Sequence, residues 1–165
     1  MAIIADYGDE PRETSFLEAV FHYKEYKCVV LFHNGCWRCG YVRIPKDSAF
    51  YGASIDTCND YLDCHGGITY SEDYLKFMSD PDVWWIGFDC THCNDGYDFD
   101  CAEIYFRNDP YSMSKIKSKK DMEKDSEYEP RTLDYVVKEC CSLVDQLYEA
   151  SEVTEIDMAI RRFEQ

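Results

Sequence analysis

Two stretches of this 165-residue chain gather side chains able to do chemistry. Cys64-His65-Gly66-Gly67 stands directly before a strand-like run, Ile68-Thr69-Tyr70. Asp89-Cys90-Thr91-His92-Cys93 ends a second run, Val83-Trp84-Trp85-Ile86-Gly87-Phe88. A third group, Cys36-x-x-Cys39, sits in a predicted hairpin. Structural zinc takes four tetrahedral ligands, drawn mostly from cysteine thiolates and neutral histidines. Cys90 and His92 are two apart, so in an extended segment they share a side and Cys93 points away. His65 opens its strand, with Cys64 opposed to it. The spacing favours one zinc site made by Cys39, His65, Cys90 and His92, with Cys36 or Cys93 as substitutes. Against it stands the plain reading that these groups pack and hydrogen-bond near the surface.

Zinc chemistry comes in two kinds. A catalytic ion keeps an open position for water with a carboxylate nearby as base, and Asp89 and Asp95 flank the ligands. Cysteine-rich ligation is commoner in structural sites, and no HExxH or HxE…CxxC pattern occurs here. A thiol enzyme using Cys90 with His92 is disfavoured, because close neighbours in one strand rarely form a nucleophile–base pair. The expectation is therefore a structural zinc in a protein that is not an enzyme. A zinc-dependent hydrolase is the alternative.

The elements that must position these groups are read next. Thr14-Ser15 is a candidate cap for a helix over 16–24, where Phe16, Val20 and Tyr23 fall at helical spacing. Tyr26 to Phe32 and Arg38 to Ile44 read as two strands joined through Asn34-Gly35, and Pro45 stops the second. Residues 1–11 read as irregular or edge chain, and 46–64 show no clear period. Residues 72–82 read as a short helix or loop ended by Asp80-Pro81, and 102–106 as a short strand. The polar stretch 107–130 reads as a mobile charged loop. Thr132 to Ala150 carries Leu133, Val136, Val137, Cys140, Val144, Leu147 and Tyr148 on one stripe, and Thr154 to Phe163 repeats the pattern. The expected fold class is α+β: one domain over 1–165, with a central antiparallel sheet, flanking N- and C-terminal helices and a zinc staple. A tryptophan of the Trp84-Trp85 pair is expected to enter the main core.

Composition narrows the function. The length suffices to bury about two-thirds of the surface of the unfolded chain. Thirty-three acidic against seventeen basic residues give a formal net charge of −16. Such a chain is repelled by phosphate backbones and anionic membranes, which argues against direct nucleic-acid or membrane binding and toward basic protein surfaces. The start, MAIIADYGDEPRETS, lacks an export pattern, and no apolar run approaches the roughly 20 residues that span a bilayer. A cytoplasmic location is expected, with the ten cysteines as packing residues, ligands or thiols rather than a disulfide framework.

The set Gly40-Tyr41-Val42 with Pro45, then His65 to Tyr70 (HGGITY), then Trp84 to His92 (WWIGFDCTH) with Asp95 resembles a family of small, mostly uncharacterised phage and bacterial proteins. The resemblance covers roughly residues 38 to 95, somewhat over a third of the chain. In that family the residue before the GYV element is often cysteine, in keeping with Cys39 as a ligand. Cys36, Cys64 and Cys93 depart from the pattern. Such phage families include suspected counter-defence proteins, and the bulk character here is similar to that of anti-CRISPR inhibitors. The resemblance implies a stoichiometric inhibitor of a CRISPR effector nuclease, or of another basic nucleic-acid-binding protein, in the host bacterium. Asp80, Asp82, Asp98, Asp100 and Glu103 are the acids expected on its docking face.

Overall fold

The computed structural model describes residues 14–150 and 152–164; the segment 1–11 lies outside them. Five strands, β1 (Ser15–Tyr23), β2 (Tyr26–His33), β3 (Trp37–Ile44), β4 (Tyr70–Glu72) and β5 (Trp84–Asp89), form one antiparallel sheet in the order β1-β2-β3-β5-β4. The helices are α1 (Ile55–Tyr61), α2 (Phe99–Tyr105), α3 (Pro110–Met122), α4 (Leu133–Tyr148) and α5 (Glu152–Phe163). The class is α+β, as expected.

The helix expected over 16–24 is instead β1. A bulge between Leu17 and Ala19 breaks the period-2 pattern of the strand, which disguises it in the sequence. Past the bulge, Ala19, Phe21 and Tyr23 pack on the main core while Val20 faces outward. Lys24 and Glu25, at φ 44° and 69°, make the two-residue turn into β2. Positive φ at both central residues is the turn that matches strand twist.

β2 is buried on both faces from Cys28 to Phe32, which is why its apolar run is continuous rather than alternating. On one face Val30, Val42, Ile44, Ile86 and Phe88 meet the α4 stripe of Val136, Cys140, Leu143, Val144 and Leu147. Gly40 permits this approach, since a Cβ there would lie 2.5 Å from the Phe88 ring and 2.8 Å from Cys140 Sγ. On the other face Val29, Leu31 and Trp85 are covered by Leu75, with Tyr41, Tyr70, Met78 and Val83 alongside. The fully buried tryptophan, Trp85, therefore belongs to this second cluster. Trp84 lies half-buried against the main core and donates from Nε1 to Ser71 Oγ at 2.8 Å.

Three further expectations are corrected. Residues 102–105, expected with Phe106 as a strand, are the end of α2, which starts from the cap Asp98 and has Phe106 as its C-cap. The stretch 107–130, read as a mobile loop, carries α3, capped by Asp109 with Pro110 in its first turn. Its sequence lacks an apolar stripe because only one edge of α3 is packed, through Ile116 and Met113. α1 arises in the stretch that showed no period, capped by Ser54. At the other end α4, capped by Thr132, and α5 stand where the periodicity puts them. No described helix is long and apolar enough to cross a membrane.

Candidate functional site

Where β5 ends, the chain turns through residues 90–95 and meets the 64–69 turn and the start of α4. Asp95 is the centre of this meeting. Its side chain is 1% exposed, and its Oδ2 accepts from His65 Nε2 at 2.7 Å and from the His92 amide at 3.0 Å. Oδ1 accepts from Arg131 Nε at 2.8 Å. Burial alone would raise this carboxyl's pKa. Arg131, His65 and the His92 amide together hold it below the usual value.

His65 is engaged on every polar side. A carboxylate can only accept, so Nε2 carries the proton toward Asp95. Nδ1 lies 2.8 Å from the Tyr135 hydroxyl, and the His65 amide donates to Glu139 Oε2 at 2.9 Å. The first turns of α4 thus grip the histidine from one side while Asp95 holds it from the other. His92 lies beside it, ring centroids 5.7 Å apart. Its Nε2 is buried and makes no aligned hydrogen bond, although Asp89 Oδ1 stands 3.2 Å away. Asp89 is thus the group that faces this nitrogen, without an aligned hydrogen bond between them. Asp89 in turn accepts from Thr69 Oγ1 at 2.8 Å.

Gly66 is required here twice over. Its φ is +69°, and a Cβ on it would stand 2.0 Å from His92 Nε2. Gly66→Ala is expected to push the His92 ring aside and cost about 1–3 kcal/mol for overpacking on top of the backbone cost of about 1–2 kcal/mol at positive φ. Gly52→Ala is the control, at φ +75° with nothing within 4 Å; it should show only the backbone cost of about 1–2 kcal/mol. Urea midpoints of the two variants, together with the His92 ring resonances, check this.

The four expected zinc ligands do not converge. Cys39 pairs across the sheet with Asp89, so the next residue, Cys90, points to the opposite face. Cys90 packs in the main core, whereas the Cys39 thiol lies beside Tyr41 and Trp37 on the other side. Only Cys90, His65 and His92 occupy one region. Of the substitutes, Cys36 is buried among Phe32, Ala102 and Ile116, and Cys93 is exposed. Among the described residues, no group of three or more His, Cys, Asp or Glu is gathered as a metal-holding cluster. Burial pushes the Cys39 and Cys64 thiols up to about 12. It raises Cys90 as well, with the charges of Asp95 and, through the sheet, Cys39 adding to it. A thiol so protonated is a poor nucleophile.

The five acids expected on a docking face fall in two places. Asp80 is bound internally by Lys27 at 2.9 Å and Arg43 at 3.0 Å, and Asp82 is exposed beside it. Asp98 caps α2 and pairs with Arg38 at 2.8 Å, Asp100 is exposed, and Glu103 pairs with Lys120 at 2.7 Å. Arg43 and Arg38 are five residues apart along β3, about 17 Å at the strand rise, so the arginines that hold Asp80 and Asp98 stand toward opposite ends of that strand.

Sequence reasoning missed Arg38. It is 3% exposed, binds Glu18 through two nitrogens at 2.7 and 2.9 Å, and donates to Asp98 and to the Arg131 carbonyl. The signal was available: Arg38, Gly40, Val42 and Ile44 alternate on the buried side of β3, and Arg38 is the charged member. Compared with known proteins, the chain matches no family model, no curated protein and no solved structure.

Proposed function

We propose that the protein acts by binding and not by catalysis: an acidic, phage-type anti-CRISPR inhibitor that blocks an RNA-guided DNA nuclease stoichiometrically in the host cytoplasm. The observation that carries the first half is the closure of the polar centre on itself. Both Asp95 oxygens and both His65 nitrogens are taken by protein groups, and the neighbouring thiols are held protonated. A general base needs a free lone pair within reach of a substrate. The partner class is supported by the net charge of −16, which would steer the protein to the basic channels in which such nucleases hold nucleic acid.

A structural zinc belongs to this proposal in reduced form. With Cys39 on the far face and both His65 nitrogens taken by Asp95 and Tyr135, the donors left to such an ion are Cys90 and His92, and His92 Nε2, which lacks an aligned hydrogen bond, is the atom that favours it. The same nitrogen is the one observation that favours the zinc-dependent hydrolase instead. Elemental analysis of protein purified without added metal, followed by chelation, is expected to show about one zinc per chain and a lowered melting temperature. Metal-free protein whose melting temperature ignores chelator would remove zinc from both readings.

The deciding assay titrates the protein against guide-loaded nuclease and target DNA. Binding predicts full inhibition at about one inhibitor per nuclease, weakening as salt shortens the electrostatic reach to roughly 8 Å at physiological ionic strength. Full inhibition far below that ratio would indicate turnover and overturn the binding reading. No inhibition of any effector would overturn the partner.

A further inference from the structure

An apolar cleft of about 400 Å³ opens at the start of β1, between Phe16, Leu17, Phe77, Tyr105 and Phe106. Its walls are held from behind. The Phe16 ring stacks on Tyr105 with centroids 4.1 Å apart, and the Tyr105 hydroxyl donates to Glu18 Oε1 at 2.8 Å. Phe77 reaches the cleft from a backbone at φ 68°, a conformation that bulky residues rarely adopt. Phe16, Leu17 and Phe77 are all part-exposed, and β1 is the outer strand of the sheet.

The rim is cationic, against the character of the chain. Lys76 Nζ stands 5.3 Å from the Phe77 centroid, and Arg107 lines the adjoining groove with Phe16, Tyr105 and Asn108. The nearby acids are committed or further off. Asp109 accepts from the Tyr111 and Ser112 amides as the cap of α3, and Glu103 pairs with Lys120. Asp100 lies in the first turn of α2, the end away from Tyr105 and Phe106. An apolar cleft with such a rim is complementary to an apolar segment flanked by carboxylates.

A segment of that chemistry adjoins the cleft along the chain. The Thr14 carbonyl accepts from the Asn34 amide at 2.9 Å, which fixes where the chain enters β1, and the next residue, Ser15, lines the cleft. Before Thr14 stand five apolar residues, Met1 to Ala5, and then DYGDEPRE, with Asp6, Asp9, Glu10 and Glu13. Residues 6–13 can span at most about 26–29 Å, ample to turn back through Gly8 and Pro11 onto a wall that begins one residue past Thr14. So short a tether makes the encounter intramolecular and its effective concentration high.

We propose that the cleft is the seat of this chain's own residues 1–5. The Ile3-Ile4 pair fills it, and Asp6 and Asp9 face Lys76 and Arg107. Seated there, the segment covers the apolar edge of β1 against other molecules. This seat does not depend on the function proposed above.

The test uses the full chain with labelled isoleucine, leucine and valine methyls. In the free protein the Ile3 or Ile4 methyls are expected to show NOEs to the rings of Phe16, Phe77 or Tyr105. Ile3→Ser with Ile4→Ser should empty the cleft and raise the affinity for Nile red, a neutral apolar dye, about tenfold. Lys76→Glu with Arg107→Glu should weaken the NOEs and raise dye binding by a smaller factor. Lys46→Glu with Lys138→Glu makes the same net change on two exposed lysines, beyond the far end of β3 and on α4, and should do neither. Random-coil methyl shifts without ring NOEs, or dye binding indifferent to Ile3→Ser with Ile4→Ser, would overturn the seat. Equal effects of the two charge reversals would overturn the pairing of Asp6 and Asp9 with the rim. NOEs between labelled and unlabelled copies in a mixed sample, with a dimer on sedimentation, would make the occupant a second copy. Random-coil methyls, with Leu17 and Phe77 resonances that move only when guide-loaded nuclease is added, would give the cleft to that partner instead.

Discussion

Asp95→Ala is expected to destabilise the protein by about 3–5 kcal/mol, the cost of breaking a buried charge network by removing one member. The substitution strands Arg131 Nε, His65 Nε2 and the His92 amide, and so loosens the 64–69 turn, the 90–95 turn and the head of α4 together. Asp95→Asn, which keeps one acceptor, should fall between alanine and wild type. Denaturant titrations at neutral pH measure both. A loss below about 1 kcal/mol on Asp95→Ala would mean that the network does not hold these turns. The same carboxylate gives a pH signature. Its pKa is depressed on folding, so the unfolded chain takes up the proton first as pH falls. The stabilisation is complete above the ordinary carboxyl value of about 4 and is lost on descent through the lower folded value. Asp98, depressed by the Cys101 amide and Arg38 against its burial, and Asp80, depressed by Lys27, add to the slope with the same sign. Asp95→Asn should flatten that acid limb, whereas a surface change such as Asp100→Asn should not.

Trp85→Ala is expected to cost as much, about 3–5 kcal/mol, by a different route. Trp85 is 1% exposed and wedged between Val29, Leu31 and Leu75. Truncation leaves a cavity under the 73–83 loop that the flanking strands cannot fill without breaking register. Trp84→Ala, at a half-buried site with one hydrogen bond to Ser71, should cost less. Unfolding midpoints of the pair provide the check; equal losses would place the second cluster in doubt as a core. Because typical domains have about 5–15 kcal/mol in total, either change alone brings this one close to unfolding.

The elements legible in the sequence were those with an undisturbed pattern. The alternating run 37–44, the continuous apolar runs 26–33 and 84–89 and the stripe of α4 each keep one pattern over their whole length. β1 was hidden because its bulge shifts the phase midway, and the residues on either side of the shift then mimic helical spacing. α3 was hidden because it buries so few side chains that composition suggested solvent throughout, although Asp109-Pro110 signalled a helix start. The site was half legible. His65, His92, Cys90 and Asp95 do meet at the ends of two strands, because strand ends are where the chain must turn. Where Cys39 stands needed the β3–β5 register, which sets it opposite Asp89 and so on the other side of the sheet from Cys90. The roles of Tyr135, Arg131 and Glu139 depend on how α4 is laid across the sheet, and no local pattern encodes that.

Strand order bears on how the chain can be made. β1, β2 and β3 are consecutive, so their meander can pair as soon as residue 44 is available. The next neighbour of β3 is β5, forty residues further on, and the carbonyl that completes the Arg38 contacts comes from Arg131, 93 residues later. The cover for Val30, Val42 and Ile44 is α4, which ends at Tyr148. At synthesis rates of about 5–20 residues per second, a ribosome takes roughly 5–20 seconds to travel from the end of β3 to the end of α4. Early in that interval both faces of the three-stranded sheet are bare, the side of Val29 and Leu31 until Leu75 and Trp85 are made and the other until α4 is complete, and Arg38 is only partly satisfied until residue 131. A message truncated before α4 therefore yields a sticky intermediate, prone to aggregate, instead of a smaller working protein.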